Sequence, residues 1–135
     1  MSAWLAVVAA DHVRRGRDLG IVQINHGQRA PLVRMEPGDV VIYYSPTVHR
    51  GDKQPLRAFT AFATVGEGDV WQADEGDFKP YRRQAAYAPT RDVALSEIND
   101  SLSLTTQPNW GYQLRRGIIP LDDHDVETLR KAMHT

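Results

Sequence analysis

Cysteine is absent from the 135 residues. That excludes disulfides, thiolate zinc sites, iron–sulfur clusters and a thiol nucleophile. Lysine is scarce as well: 3 of the 16 basic residues are Lys and 13 are Arg. No stretch approaches the ~20 consecutive apolar residues that span a bilayer. The apolar run from Trp4 to Ala10 ends in Ala-Ala as a secretory leader does, but no basic residue precedes it, and it sits near the lower limit for a leader's apolar segment. The expected location is therefore the cytoplasm, with no membrane partner. In that setting Arg50-Gly51-Asp52 is an adhesion tripeptide by coincidence. Catalytic signatures are missing too. There is no phosphate-cradling Gly-x-x-x-x-Gly-Lys-Ser/Thr, no His-Glu-x-x-His and no Gly-x-Ser-x-Gly. The five histidines are scattered, so no metal and no cofactor is expected. Ser45, His26 and Asp39 make a conceivable triad, but any chain of this length contains such a set.

What is present describes one domain, residues 1–135, at ~100–200 residues per domain. A chain of this size buries ~two thirds of its unfolded surface without covalent staples. The net charge of −1 argues against a protein that coats nucleic acid by bulk charge. Neutrality is nevertheless a sum of unlike halves: residues 1–66 carry a surplus of three positive charges and residues 67–135 a surplus of four negative ones. Arginine pairs bidentately with phosphates or carboxylates and stacks on flat rings. A GC-rich genome that writes Arg in place of Lys accounts for the same bias without any ligand.

Periodicity gives a mixed small barrel with helices around it. Residues 4–9 are continuously apolar, as in a strand buried on both faces. Asp11 stands where an N-cap would, before one or two helical turns closed by Gly16 or Gly20. Residues 21–25 read as a second strand ending at His26-Gly27. Residues 30–35 read as a short helix with Pro31 at its first position. Glu36-Pro37-Gly38-Asp39 is a turn, and residues 40–44 follow as the clearest strand. Residues 56–65 alternate Phe59, Ala61 and Ala63 against Thr60, Phe62 and Thr64, with Gly66-Glu67-Gly68-Asp69 expected to make a hairpin into residues 70–73. An acidic loop over 74–80, a strand over 82–87 and a short helix within 93–104 come next. The last helix is capped by Asp122 or Asp123, with Val126, Leu129 and Met133 on its buried face.

Two strand ends, Asn25-His26-Gly27 and Tyr44-Ser45-Pro46, each set polar side chains beside a residue that turns the backbone. As neighbours in a barrel mouth they would offer an amide, an imidazole and a hydroxyl. Such groups read the edge of a flat heterocycle while aromatic faces stack on it. Turn chemistry alone also explains Asn25 and His26. Tyr43 and Tyr44 face opposite sides of their strand, so one of them is core. Trp110, next to Gly111, can lay its face against a ligand, with Arg115 and Arg116 near its phosphates. Alternatively Trp110 closes the barrel end and those arginines pair with Asp74, Glu75 and Asp77. Trp4 and Trp71 read as core, although Trp4 opens the first strand and can line the same mouth.

The ordered set Trp4-Leu5, Gln23-Ile24-Asn25-His26-Gly27, Pro31-Leu32, Met35-Glu36-Pro37-Gly38-Asp39, Tyr44-Ser45-Pro46 and Trp110-Gly111 with Arg116-Gly117 resembles the bacterial EVE-domain family. The likeness runs from residue 4 to about residue 133. It implies an α+β, PUA-like mixed β-barrel of five to seven strands with flanking short helices and a C-terminal helix, related to the YTH and ASCH domains. It implies no enzyme and no catalytic residue. The implied function is a nucleic-acid-binding module that accepts a modified or flipped nucleobase of DNA or RNA. Its base-binding pocket would comprise Trp4, Asn25, His26, Gly27, Tyr44, Ser45, Pro46 and Trp110. Arg14, Arg15, Arg17, Arg29, Arg115 and Arg116 would meet the phosphates. The departure is in the loop after the central strands, where the YTH relatives carry tryptophans and this chain has His49 and Arg50. Two other readings are an enzyme acting on a nucleotide, with His26 as acid–base, and a protein-interaction module that ignores nucleic acid.

Overall fold

The computed structural model describes residues 2–135. The first apolar run becomes β1 (Ala3–Val7), which pairs in parallel with β3 (Val40–Ser45), Leu5 opposite Ile42 and Val7 opposite Tyr44. A parallel pair needs a crossover. Here it consists of α1 (Ala10–Leu19), β2 (Ile21–Val22), a tight turn at Asn25–Gly27 and α2 (Ala30–Val33). The other strands are β4 (Ala58–Val65), β5 (Trp71–Gln72), β6 (Tyr81–Tyr87), β7 (Val93–Ala94) and β8 (Ile118–Pro120), all antiparallel to their partners. The order is β2-β6-β4-β3-β1-β8, with β5 on β6 and β7 on β4. The result is the expected mixed, half-barrel sheet with short helices around it. Its eight strands exceed the expected five to seven because β2, β5 and β7 are two-residue pieces.

Alternation along β1 and β3 sorts the core onto two faces. Leu5, Ile42 and Tyr44 join Phe59, Phe62, Leu102, Leu129 and Met133 on one face. Ala6, Val41 and Tyr43 join Val13, Val22, Ile24 and Leu32 on the other. The first face is covered by α6 (Asp123–Met133), whose N-cap Asp122 accepts from Asp125 N at 2.8 Å, as the sequence anticipates. Asp125 is buried and accepts from Ser103 N at 2.6 Å and Leu104 N at 2.9 Å, which starts α4 (Ser103–Thr106) shortly after the one-turn helix α3 (Leu95–Ile98). The second face lies under α1 and α2. No helix among the described residues is long and apolar enough to cross a membrane.

Four local expectations change. The first helix starts at Ala10 rather than after Asp11, because Ala10 N and Asp11 N donate to the carbonyls of Thr47 and Val48 at 3.0 and 2.9 Å. Those loop carbonyls do the work of a side-chain cap. The helix then passes through Gly16 and ends at Gly20, which has φ 69°. β2 stops at Val22, since Asn25 and His26 have φ 50° and 60°, incompatible with a strand. β5 pairs with β6 instead of forming a hairpin with β4. After β4 the chain crosses β6, Gly66 N donating to Gln84 O at 2.9 Å while Gly68 lies against the Gln84 side chain. Finally, β4 carries a bulge. Ala61 faces Tyr43 and Phe59 faces Tyr44, so Thr60 is an extra residue. The phase slips by one there, which puts Phe59 and Phe62 on the same face. The spare Thr60 hydroxyl is satisfied by Ser45 Oγ at 2.8 Å.

Candidate nucleic-acid interface

The C-terminal ends of β1 and β3 open beneath α1 into a cavity of about 600 Å3. Residues 7–9 and Tyr43 form its floor. His12, Arg15 and Leu19 come from α1, Gln23, Asn25 and His26 from the crossover, and Pro46, Thr47 and Arg50 from the loop after β3. Phe78 and Arg82, from the β5–β6 hairpin and β6, close it. Leu19 and Phe78 are 51% and 43% exposed, so the mouth carries apolar surface that none of the described residues covers.

The wall at Asn25–Gly27 is strained. Asn25, His26 and Gly27 have φ of 50°, 60° and 82°, and left-handed conformation costs a non-glycine residue ~1–2 kcal/mol. Contacts on both sides impose it. Gly27 packs on Pro80, and the Asn25 side chain fills the space where a Cβ on Gly117 would stand, 1.8 Å from Oδ1. Strain of this kind, held by its surroundings, accompanies functional sites.

The polar rim is rich in guanidinium. Glu75 forms ion pairs with Arg15 and, at 2.9 Å, with Arg82. Hydrogen bonds from Arg82 and then Arg15 hold its carboxyl below the usual range. Arg82 Nε also donates to Gln23 Oε1 at 2.8 Å. Arg50 Nη1 donates to His26 Nδ1 at 3.2 Å. The Arg50 loop is tied to α1 by the backbone bonds to Thr47 and Val48 and by His49 Nδ1 against Asp11 Oδ2 at 3.1 Å. That contact raises the His49 pKa and lowers that of Asp11 despite the desolvation of its carboxyl. The Tyr43 phenol is pushed well above its ordinary value by burial and then by its neighbour Tyr87, on which it stacks with centroids 6.3 Å apart. No cluster of three or more His, Asp or Glu side chains among the described residues could hold a metal ion.

A family model described as the EVE domain matches residues 2–132. The chain belongs to the EVE-domain family. Among similar sequences, a UPF0310 protein of Renibacterium salmoninarum is 48% identical over 96% of this chain and 94% of its own length. The UPF0310 protein YdcG of Bacillus subtilis is 34% identical over 96% and 90%. Among solved structures, a hypothetical protein from Leishmania major superposes with TM-score 0.60 at 15% identity, over 97% of this chain and 93% of its own. Human THYN1, solved in complex with 5-methylcytosine containing DNA, superposes with TM-score 0.54 at 13% identity, over 97% and 96%. These likenesses establish the fold.

The EVE domain brings together part of the pocket expected from sequence. Asn25, His26 and Pro46 line the cavity, as does Arg15, and Gly27 lies just behind against Pro80 and Phe78. The other four lie away from it. Tyr44 points to the α6 face, where it packs on Phe59, and its neighbour Tyr43 takes the cavity side. Ser45 is fully buried and its hydroxyl is spent on Thr60. Trp110 opens α5 (Trp110–Gln113) and packs with the α6-side cluster, across the sheet from Tyr43. Trp4 lies toward the N-terminal ends of β1 and β3, ~10 Å along the strand from Val7. There its Nε1 donates to Asp39 Oδ2 at 3.3 Å and its ring lies 5.0 Å from the Arg34 guanidinium. Ser45 and Asp39 sit at opposite ends of β3, which dissolves the conceivable triad.

Of the arginines expected to meet phosphates, Arg14 pairs with Asp92 at 3.6 Å and Arg15 with Glu75. Arg17, Arg29, Arg115 and Arg116 are exposed and form no carboxylate pair among the described residues. Glu75 therefore pairs with Arg15 and Arg82, not with Arg115 or Arg116. Arg115 instead lies 5.3 Å from the Tyr112 ring. Sequence reasoning left out Phe78, Arg50 and Arg82, and their signals are faint: an aromatic in an acidic loop and arginines among many.

The Trp4 latch has its own test. Burial opposes ionisation of Asp39, but bonds from Glu36 N, Ser2 N and Trp4 Nε1 outweigh it and hold its carboxyl below the usual carboxylate range. A depressed carboxylate contributes stability above its unfolded pKa and loses it as pH falls through the folded value. Stability should therefore drop as pH falls below about 4. In Asp39→Asn the difference in unfolding free energy between neutral and acidic pH, measured in urea, should shrink. An unchanged difference would assign the acid sensitivity elsewhere.

Proposed function

We propose that this EVE domain is a nucleic-acid-binding module, not an enzyme, and that its cavity accepts one base, modified or extruded from the stack. The observation that carries the reading is the cavity itself. Its volume of about 600 Å3 falls within the ~300–1,000 Å3 of small-molecule sites. It combines an exposed aromatic ring, Phe78, with an amide, an imidazole and guanidinium groups on one rim. Enclosure suits a single flat heterocycle better than a groove would, because extrusion costs a few kcal/mol that stacking and edge contacts must offset. The 5-methylcytosine containing DNA bound to THYN1 supports the same class of ligand. Arg17, Arg29, Arg115 and Arg116 are the phosphate contacts proposed here, and Arg14 and Arg15 would have to exchange their carboxylates first.

Fluorescence anisotropy tests this with a duplex carrying one 5-methylcytosine, the same duplex unmodified, and a matching RNA. Saturable binding is expected, with log K falling against log salt at a slope of about −3, as for three or four phosphates. His26→Ala should weaken it. Absence of binding to all three at low salt, or a steep slope indifferent to His26→Ala, would sink the proposal.

A further inference from the structure

Two side chains that line the cavity are locked in one hydrogen-bonding sense by arginines. Arg82 Nε donates to Gln23 Oε1 at 2.8 Å. A guanidinium has donors and no acceptor, so it is the amide oxygen of Gln23 that faces Arg82. Arg82 is held in its turn by Glu75 at 2.9 Å, with 11% of its side chain exposed. The amide nitrogen of Gln23, with two N–H groups, makes no hydrogen bond among the described residues and is not a buried orphan. The same logic applies to His26. Arg50 Nη1 can only donate to Nδ1 at 3.2 Å, so Nδ1 accepts and the ring proton sits on Nε2. Gln23 and His26 therefore both offer donors, beside the guanidinium donors of Arg15 and Arg50 on the same lining.

We propose that the cavity selects a base edge with two neighbouring acceptors, guanine O6/N7 or cytosine N3/O2, against adenine, and that Arg82 and Arg50 are the positioning residues that set this preference. The inference rests on the base-binding reading above. In adenine the N6 amino group lies beside both N1 and N7, so a donor pair meets at least one opposing N–H. In thymine and uracil the N3–H lies between the two carbonyls. An unmatched donor inside a site is costly, which is how hydrogen-bonding sites reject the wrong partner. A methyl group on cytosine C5 leaves the N3/O2 edge unchanged.

Short duplexes in which a single base faces an abasic site provide the test, because that base alone is unpaired. Affinities are read by anisotropy for cytosine, guanine and adenine at that position, and for a duplex abasic on both strands. Cytosine and guanine are expected to bind about tenfold tighter than adenine. Gln23→Glu keeps an oxygen for Arg82 but replaces both N–H donors by an acceptor, and should bring the ratio close to one. Adenine binding as tightly as cytosine and guanine, with the doubly abasic duplex weaker, overturns this inference and leaves the base-binding reading intact. A doubly abasic duplex that binds as well as the rest, or no binding to any duplex, overturns both. Preference retained in Gln23→Glu, with its fold verified by circular dichroism, removes Gln23 from the mechanism and overturns the inference.

Discussion

Gly27→Ala is expected to lose about 4 kcal/mol of stability, combining severe overpacking with left-handed strain. A Cβ on Gly27 would stand 2.4 Å from Pro80 Cβ and 2.6 Å from Pro80 Cα. The second contact is with backbone, at a buried residue that leads directly into β6, so no side-chain rotation relieves it. The φ of 82° at Gly27 adds the cost of a left-handed alanine. At ~3–4 °C per kcal/mol for a chain of this size, the unfolding midpoint should fall by more than 10 °C. Gly76→Ala separates the two causes. Gly76 has φ 80° with nothing within 4 Å of an added Cβ, so that variant should lose about 1 kcal/mol from strain alone. Thermal unfolding of both variants by circular dichroism is the measurement. Equal losses would mean that Pro80 yields and that the turn carrying Asn25 and His26 is not clamped as described.

That clamp also marks where sequence reasoning stops. Signals carried by neighbouring residues survive folding: the apolar runs of β1 and β3, the turn before Asp39, the Asp122 cap, and Leu129 and Met133 at helical spacing all appear where periodicity puts them. The family likeness supplied the barrel. What periodicity misreads depends on residues far apart in the chain. The helix at Ala10 starts early because carbonyls 37 residues onward, at Thr47 and Val48, take its first N–H groups. The Thr60 bulge needs Ser45 across the sheet, and nothing local announces it. The same holds for the site. Asn25, His26 and Pro46 are legible because turn residues at strand ends face a barrel mouth. Trp4 reads as a mouth residue because it opens a strand, but a parallel β1–β3 pair leaves it toward the other end, beside Asp39. Phe78 is invisible for the converse reason. It sits in a run of acidic loop residues, and only the pairing of Glu75 with Phe78 in a hairpin tip brings its ring to Gly27 and the cavity.

Phe78→Ala should therefore weaken nucleic-acid binding by about 30-fold, since stacking of one base on one ring is worth ~1–3 kcal/mol by alanine substitution. Tyr43 cannot substitute for it. Tyr43 is 2% exposed, stacked on Tyr87 and part of the floor, whereas Phe78 is 43% exposed at the mouth and adjoins Gly27. Because the ring is partly exposed and covers no core cluster, the unfolding free energy should change by only about 1 kcal/mol, too little to unfold the domain and account for the loss of binding. Anisotropy with the duplex carrying one 5-methylcytosine reads the effect, and an affinity unchanged by Phe78→Ala would remove stacking from the site. Two further variants distinguish a π-face from mere apolar cover. Phe78→Tyr keeps a flat ring and should bind within a few-fold of the parent, whereas Phe78→Leu keeps apolar bulk without the ring and should bind nearly as weakly as alanine. If leucine restores binding as well as tyrosine does, the mouth excludes water from the ligand and does not stack on it.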